Sequence, residues 1–225
     1  MKMVADAVLP QLRMSAGRVE LTGALALADD AIGVVLLAHG SGSSRVTPQD
    51  AHLARLLRDE RLSTVVLPLL TPHEDALDFA AREHRVDLRL LAHRLAAVTD
   101  WLRNRHEFEE ATIGYFAAGT VAAAALMAAA ELGRHVGAVV SRSGRPDLAG
   151  ESLGRVDAPT LLIVGSADRT LIELNGLASA RLKVANEVAV VPGAPDSFDE
   201  AAALEVAMLA SRWFGRHLSA TRAET

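Results

Sequence analysis

Short apolar runs and helix-period stretches alternate along the chain. Residues 19–28 alternate apolar and polar positions, the pattern of a strand with one buried face. Asp29-Asp30 breaks that pattern, and Ile32-Gly33-Val34-Val35-Leu36-Leu37-Ala38 follows with no alternation. A continuous apolar run of this length predicts a strand covered on both faces. Further strands are predicted at 64–67, 112–116, 136–140, 160–164 and 187–191. Helix-period stretches separate them at 50–59, 87–104, 120–132, 171–182 and 201–218. The third ends at Gly133, a common helix stop. Such alternation predicts an α/β fold: a mainly parallel central sheet with helices on both faces. The strands 19–28 and 32–38 are expected to pair as an antiparallel N-terminal hairpin at one edge. Residues 71–86 are polar, with Pro72 near their start, and are expected as a loop. That loop is either a lid over the carboxyl ends of the strands or plain solvated surface. Residues 218–225 are expected as a frayed tail.

Composition narrows the picture. At 225 residues, half of them apolar, the chain is expected to be one domain with a full core. A net charge of −5 and the lack of a basic stripe argue against a nucleic-acid partner. With no cysteine there is no disulfide framework, thiolate nucleophile or cysteine metal site. The first 17 residues lack the apolar core of a signal peptide, and the apolar run 122–130 is too short to span a bilayer. A soluble, cytoplasmic protein without a membrane partner is expected. No cofactor is indicated, and no histidine spacing marks a metal site. A small-molecule ligand and a homo-oligomer both remain open.

The most informative segment joins the strand 112–116 to the Ala-rich helix through Ala117-Ala118-Gly119-Thr120-Val121. In the G-x-S-x-G elbow a serine occupies this junction, with its hydroxyl standing clear above the sheet. Four other segments accompany it: Leu37-Ala38-His39-Gly40-Ser41-Gly42, Val139-Val140-Ser141-Arg142-Ser143-Gly144-Arg145-Pro146-Asp147, Ala158-Pro159-Thr160-Leu161-Leu162-Ile163-Val164-Gly165-Ser166-Ala167-Asp168, and Val190-Val191-Pro192-Gly193-Ala194. On these residues, in this order, the chain resembles the α/β-hydrolase superfamily, and within it the dienelactone-hydrolase-like branch. The resemblance covers nearly the whole length and implies the α/β-hydrolase fold.

That resemblance implies a Ser–Asp–His triad in this chain order. Carried over by position, the nucleophile falls on Gly119, the acid on Asp168 and the histidine on Asp196. Gly119 has no hydroxyl, and Asp196 is a weak base unless its pKa is raised. The flanking elbow glycines correspond to Ala117 and Val121, and β-branched Val121 is expected to crowd a tight turn. Glycine adopts strained elbow angles at little cost, so ordinary helical or extended angles at Gly119 would contradict a retained elbow.

Parts of the site are candidates for other roles. The oxyanion amides fall on Ser41 and Thr120, and with His39 they are expected to line a pocket for an anion or carbonyl. The alternative is that Ser41 and Thr120 cap local backbone. Asp168 and Asp196, if close, would raise one carboxyl pKa; otherwise Asp168 caps a loop and Asp196 is solvated. Arg142 and Arg145 either grip an anion, or Arg145 pairs with Asp147 to fix the loop. Tyr115 and Phe116 are expected in the core, and Trp101 and Trp213 against the sheet or a partner. Three functions remain: a pseudo-hydrolase binding a small ligand or partner, an enzyme with replaced chemistry through Asp168, Asp196 and the oxyanion amides, and a structural subunit.

Overall fold

The computed structural model describes residues 10–40, 48–81, 87–108, 111–192 and 200–223. Among the described residues eight strands are formed: β1 (Gln11–Ala16), β2 (Val19–Ala26), β3 (Gly33–His39), β4 (Leu62–Pro68), β5 (Thr112–Ala118), β6 (Val136–Arg142), β7 (Thr160–Gly165) and β8 (Asn186–Val191). They form one sheet in the order β1-β2-β4-β3-β5-β6-β7-β8. From β4 onward every neighbouring pair is parallel, so β3 and β5 lie centrally and their carboxyl ends meet. The α-helices among the described residues are α1 (Pro48–Asp59), α2 (Pro72–Ala81), α3 (Leu88–Arg103), α4 (Val121–Leu132), α5 (Arg169–Ser179) and α6 (Glu200–Ala223), and they cover the sheet.

The two faces of the sheet bury separate clusters. One gathers α3 and α4 around Leu36, Ile113, Tyr115 and Val139. The other gathers α1 and α6 around Val35, Leu37, Phe116 and Val140. Alternate residues of one strand thus serve opposite clusters, as the two-residue period of a strand requires. Tyr115 is fully buried, and its hydroxyl lies 2.6 Å from Thr99 Oγ1 of α3. Trp213 packs into the α1/α6 layer and Trp101 against the other face, as expected of both. No helix among the described residues is long and apolar enough to cross a membrane.

Three expectations need correction. The antiparallel N-terminal hairpin exists, but β1 and β2 form it about the Gly17-Arg18 turn. The 32–38 run is β3, which pairs with β4 and β5 instead of β2. β1 is a one-sided edge strand whose Met14 and Ala16 face inward, a signal too short to stand out. Residues 72–81 of the expected loop form helix α2. The Thr71 amide donates to Glu74 Oε2 and the Glu74 amide to Thr71 Oγ1, a reciprocal capping box with Pro72 at the first turn. Third, α6 continues to Ala223, past the expected end at 218.

Glu74 also fixes the new helix to α3. Arg94, buried, donates to Glu74 Oε1 at 2.6 Å, to Glu74 Oε2 at 2.8 Å and to the Leu69 carbonyl at 2.8 Å. This bidentate pair holds the Glu74 carboxyl at about 2, against an ordinary value near 4.5.

Candidate functional site

The turn between β5 and α4 keeps the form of an elbow. Gly119 has φ +56°, in the left-handed region, so the ordinary angles that would have contradicted a retained elbow are not found. Among the described residues, a Cβ built on it would meet nothing within 4 Å. At the carboxyl end of the sheet the elbow tip thus faces space that no described residue fills. The turn is held from the next strand: the Gly119 amide donates to the Arg142 carbonyl at 3.3 Å, and the Gly119 carbonyl accepts from the Arg145 amide at 3.0 Å. Val121 does not relax the turn. A Cβ on Gly40, just past β3, would lie 3.0 Å from Val121 Cγ2, so the absent side chain of Gly40 makes the room that Val121 needs.

Thr120 precedes α4 with φ −70° and ψ −23°, and its hydroxyl makes no capping bond. The capping alternative is thus not what Thr120 does. At the start of α4 the Ala122 amide donates to the Gly119 carbonyl at 3.4 Å and the Ala123 amide to the Thr120 carbonyl at 3.1 Å, so the candidate donors above the sheet are the amides of Thr120 and Val121. Ser41, with Ser43 and Ser44, lies outside the described residues.

His39 ends β3, one position past the pairing of Ala38 with Ala117, which brings it beside the elbow. Its Nε2 is 3.2 Å from Asp50 Oδ1 of α1, a close contact whose angle makes no hydrogen bond. Both side chains are largely buried. Arg142 lies on the same side. Its Nε is buried without a hydrogen-bond partner; burial pulls its pKa down while the nearby Asp50 charge pushes it up. A cavity of about 20 Å³ separates Asp50 and Arg142, floored by Phe116 and Leu53. Sequence reasoning missed Asp50. As an acidic residue in a helix first turn it carries no local sign that it will meet His39 and Arg142.

Asp168 follows β7 at the carboxyl end of the sheet, as ligand-site residues of open α/β sheets do. Its Oδ1 accepts from the Leu171 amide at 2.8 Å and caps α5. Asp196 lies outside the described residues. Arg145 and Asp147 form the expected pair through two bonds of 2.8 Å, which lowers the Asp147 pKa and raises that of Arg145. No group of three His, Asp or Glu side chains among the described residues is placed to hold a metal ion.

No family model matches the chain. Among solved structures it is similar to a dienelactone hydrolase from Anabaena variabilis, with 44% identity, a TM-score of 0.89, and coverage of 92% of this chain and 97% of that one. The chain therefore belongs to the dienelactone-hydrolase-like branch of the α/β-hydrolase superfamily. A dienelactone-hydrolase-like promiscuous phosphotriesterase from metagenomic libraries shares the fold at a TM-score of 0.73, with 16% identity over 92% of this chain and 97% of that one. Two Mycobacterium tuberculosis proteins, one from strain H37Rv and one from CDC 1551, are 45% identical over 209 residues and carry the provisional name of phosphoribosyl transferase. The match covers 92% of this chain and 46% of theirs, so the chain spans about half the length of these relatives.

Proposed function

We propose that this chain is a non-hydrolytic member of its family, which binds a small ligand at the carboxyl ends of its strands. The observation that carries the reading is Gly119. The elbow has a left-handed backbone and, among the described residues, nothing within 4 Å of its tip, yet the residue there has no side chain. Acyl-enzyme chemistry needs a hydroxyl or thiol at this point and a base within reach of it. Glycine supplies neither, and the neighbouring Thr120 hydroxyl sits on a residue with helical angles, not on the elbow tip. Asp168 occupies the acid position with one carboxylate oxygen committed to the α5 cap. What is kept is suited to holding a ligand carbonyl or anion: the Thr120 and Val121 amides ahead of the bonded Ala122 and Ala123 amides, with His39 beside them.

The transferase chemistry in the name of the M. tuberculosis proteins we assign to the half of those chains that this one does not span. In support, this chain, which matches the other half at 45% identity, has a hydrolase-type sheet and elbow.

The test is hydrolysis of a short activated ester and of a small lactone by the wild-type protein, beside Asp168→Asn. Turnover at the buffer background in both proteins is expected. Turnover above background that Asp168→Asn abolishes would overturn the reading and establish hydrolysis through activated water.

A further inference from the structure

A second cavity lies at the other end of the sheet. Its volume is about 640 Å³, within the range of small-molecule sites. It opens where β2 ends, β3 begins and the chain enters β5, past the 3₁₀ turn His106–Phe108. Gly119 and Asp168 stand at the carboxyl ends of the same parallel strands, so this cavity is not part of the elbow site. Leu12, Leu25, Val34 and Phe108 supply apolar walls, and Leu27, 61% exposed, stands at the mouth. An exposed leucine beside an open apolar cavity leaves hydrophobic surface that a ligand would cover.

The polar feature of the wall is Arg105. Its guanidinium lies 4.9 Å from the centre of the Trp101 ring, and one terminal nitrogen donates to Glu107 Oε1 at 2.9 Å. Its Nε is buried and has no hydrogen-bond partner among the described residues. The Arg105 side chain is 40% exposed and that of Glu107 61%, so water screens their ion pair and the guanidinium can take a second carboxylate. An apolar wall with one weakly engaged guanidinium beside it matches a ligand with an aliphatic body and one carboxylate end, which arginine grips through two parallel bonds.

We propose that this cavity is a binding site for an aliphatic monocarboxylate of medium chain length, seated with its chain against Leu25 and Val34 and its carboxylate on Arg105. The site is independent of the elbow and of any reading of Gly119.

The test is calorimetric titration of the full chain with laurate and, separately, with dodecanol and butyrate. Saturable laurate binding is expected below about 1 mM, with butyrate too short to saturate in that range. Arg105→Gln is expected to weaken laurate by about tenfold or more and dodecanol by less than about threefold, because only the carboxylate uses the charge. Leu27→Glu, at an exposed position that folding does not depend on, is expected to weaken laurate in the same selective way by placing a like charge at the mouth. No saturable laurate binding, as would follow if another part of the chain fills the cavity, overturns the proposal. So does laurate binding that neither variant changes, which would put the ligand elsewhere, including at the elbow.

Discussion

The Arg145 amide donates to the Gly119 carbonyl at 3.0 Å, so the loop after β6 clamps the elbow tip. The Gly119 amide donates in turn to the carbonyl of Arg142, the last residue of β6. A left-handed turn held on both sides of its peptide unit persists without any side chain at its tip. The bidentate Arg145–Asp147 pair stiffens the clamp in turn.

Two glycines near this turn should respond differently to alanine. At Gly119 the added methyl meets open space and only the positive φ is penalised, so Gly119→Ala is expected to cost about 1–2 kcal/mol. At Gly144 a Cβ would lie 2.0 Å from Ser141 Oγ, which can turn about its Cα–Cβ bond, and 2.6 Å from Ala122 Cβ, which moves only with its backbone. Gly144→Ala is expected to cost about 3 kcal/mol or more. Urea unfolding of both variants checks the order. Equal losses would mean that the loop around Gly144 yields more easily than its packing implies.

The Glu74–Arg94 pair carries a pH dependence with a definite sign. The folded-state pKa of Glu74 lies below its unfolded value, so its contribution is complete above about pH 4.5 and is lost as the pH falls towards about 2. Glu74→Gln removes the charge and one of the two acceptor oxygens, leaving buried Arg94 with the Leu69 carbonyl and at most one bond to the amide oxygen. Removing one partner of a fully buried pair costs about 3–5 kcal/mol; Glu74 is 34% exposed, so about 2 kcal/mol is expected at neutral pH. Stability profiles of wild type and variant should converge as the pH approaches 2. A gap that stays constant down to that pH would assign the loss to the capping box alone.

The hydroxyl pair in the core is asymmetric. Thr99 Oγ1 donates to the Leu95 carbonyl, so in the 2.6 Å contact it is Tyr115 that donates and Thr99 that accepts. Thr99→Val strands a fully buried phenol and is expected to cost about 1–3 kcal/mol. Tyr115→Phe removes the donor and leaves Thr99 bonded to Leu95, for about 0.5–1 kcal/mol. Thermal unfolding distinguishes the two, at about 2–4 °C per kcal/mol for a chain of this size. A larger loss in Tyr115→Phe would reverse the donor assignment.

The parts of the fold legible in the sequence are those set by local pattern. The unbroken apolar run of β3 marks a central strand, and the sequence Gly119-Thr120 before an Ala-rich helix marks the elbow. Strand pairing is not local. β2 joins β4, nearly forty residues on by register from Ala26 to Thr64, and sequential order alone suggested β3 as its partner. The capping box at Thr71 and Glu74 was present in the sequence, but the polar character of the segment masked it. Of the candidate site, Gly119, His39 and Asp168 lie at the carboxyl ends of β5, β3 and β7, where position along each strand puts them. Asp50 and the unpartnered Nε of Arg142 arise from helix-to-sheet packing, for which neighbouring residues in the chain give no sign.

The most direct test of the central claim is a gain of function. The single variant Gly119→Ser and the double variant Gly119→Ser/Asp196→His are assayed against a short activated ester beside the wild type. If this chain is a hydrolase scaffold lacking its nucleophile and base, the wild type stays at background and the double variant turns over faster than the single one. Wild-type turnover equal to that of the double variant would contradict the account, because the open space above Gly119 would then not be where the chemistry was lost.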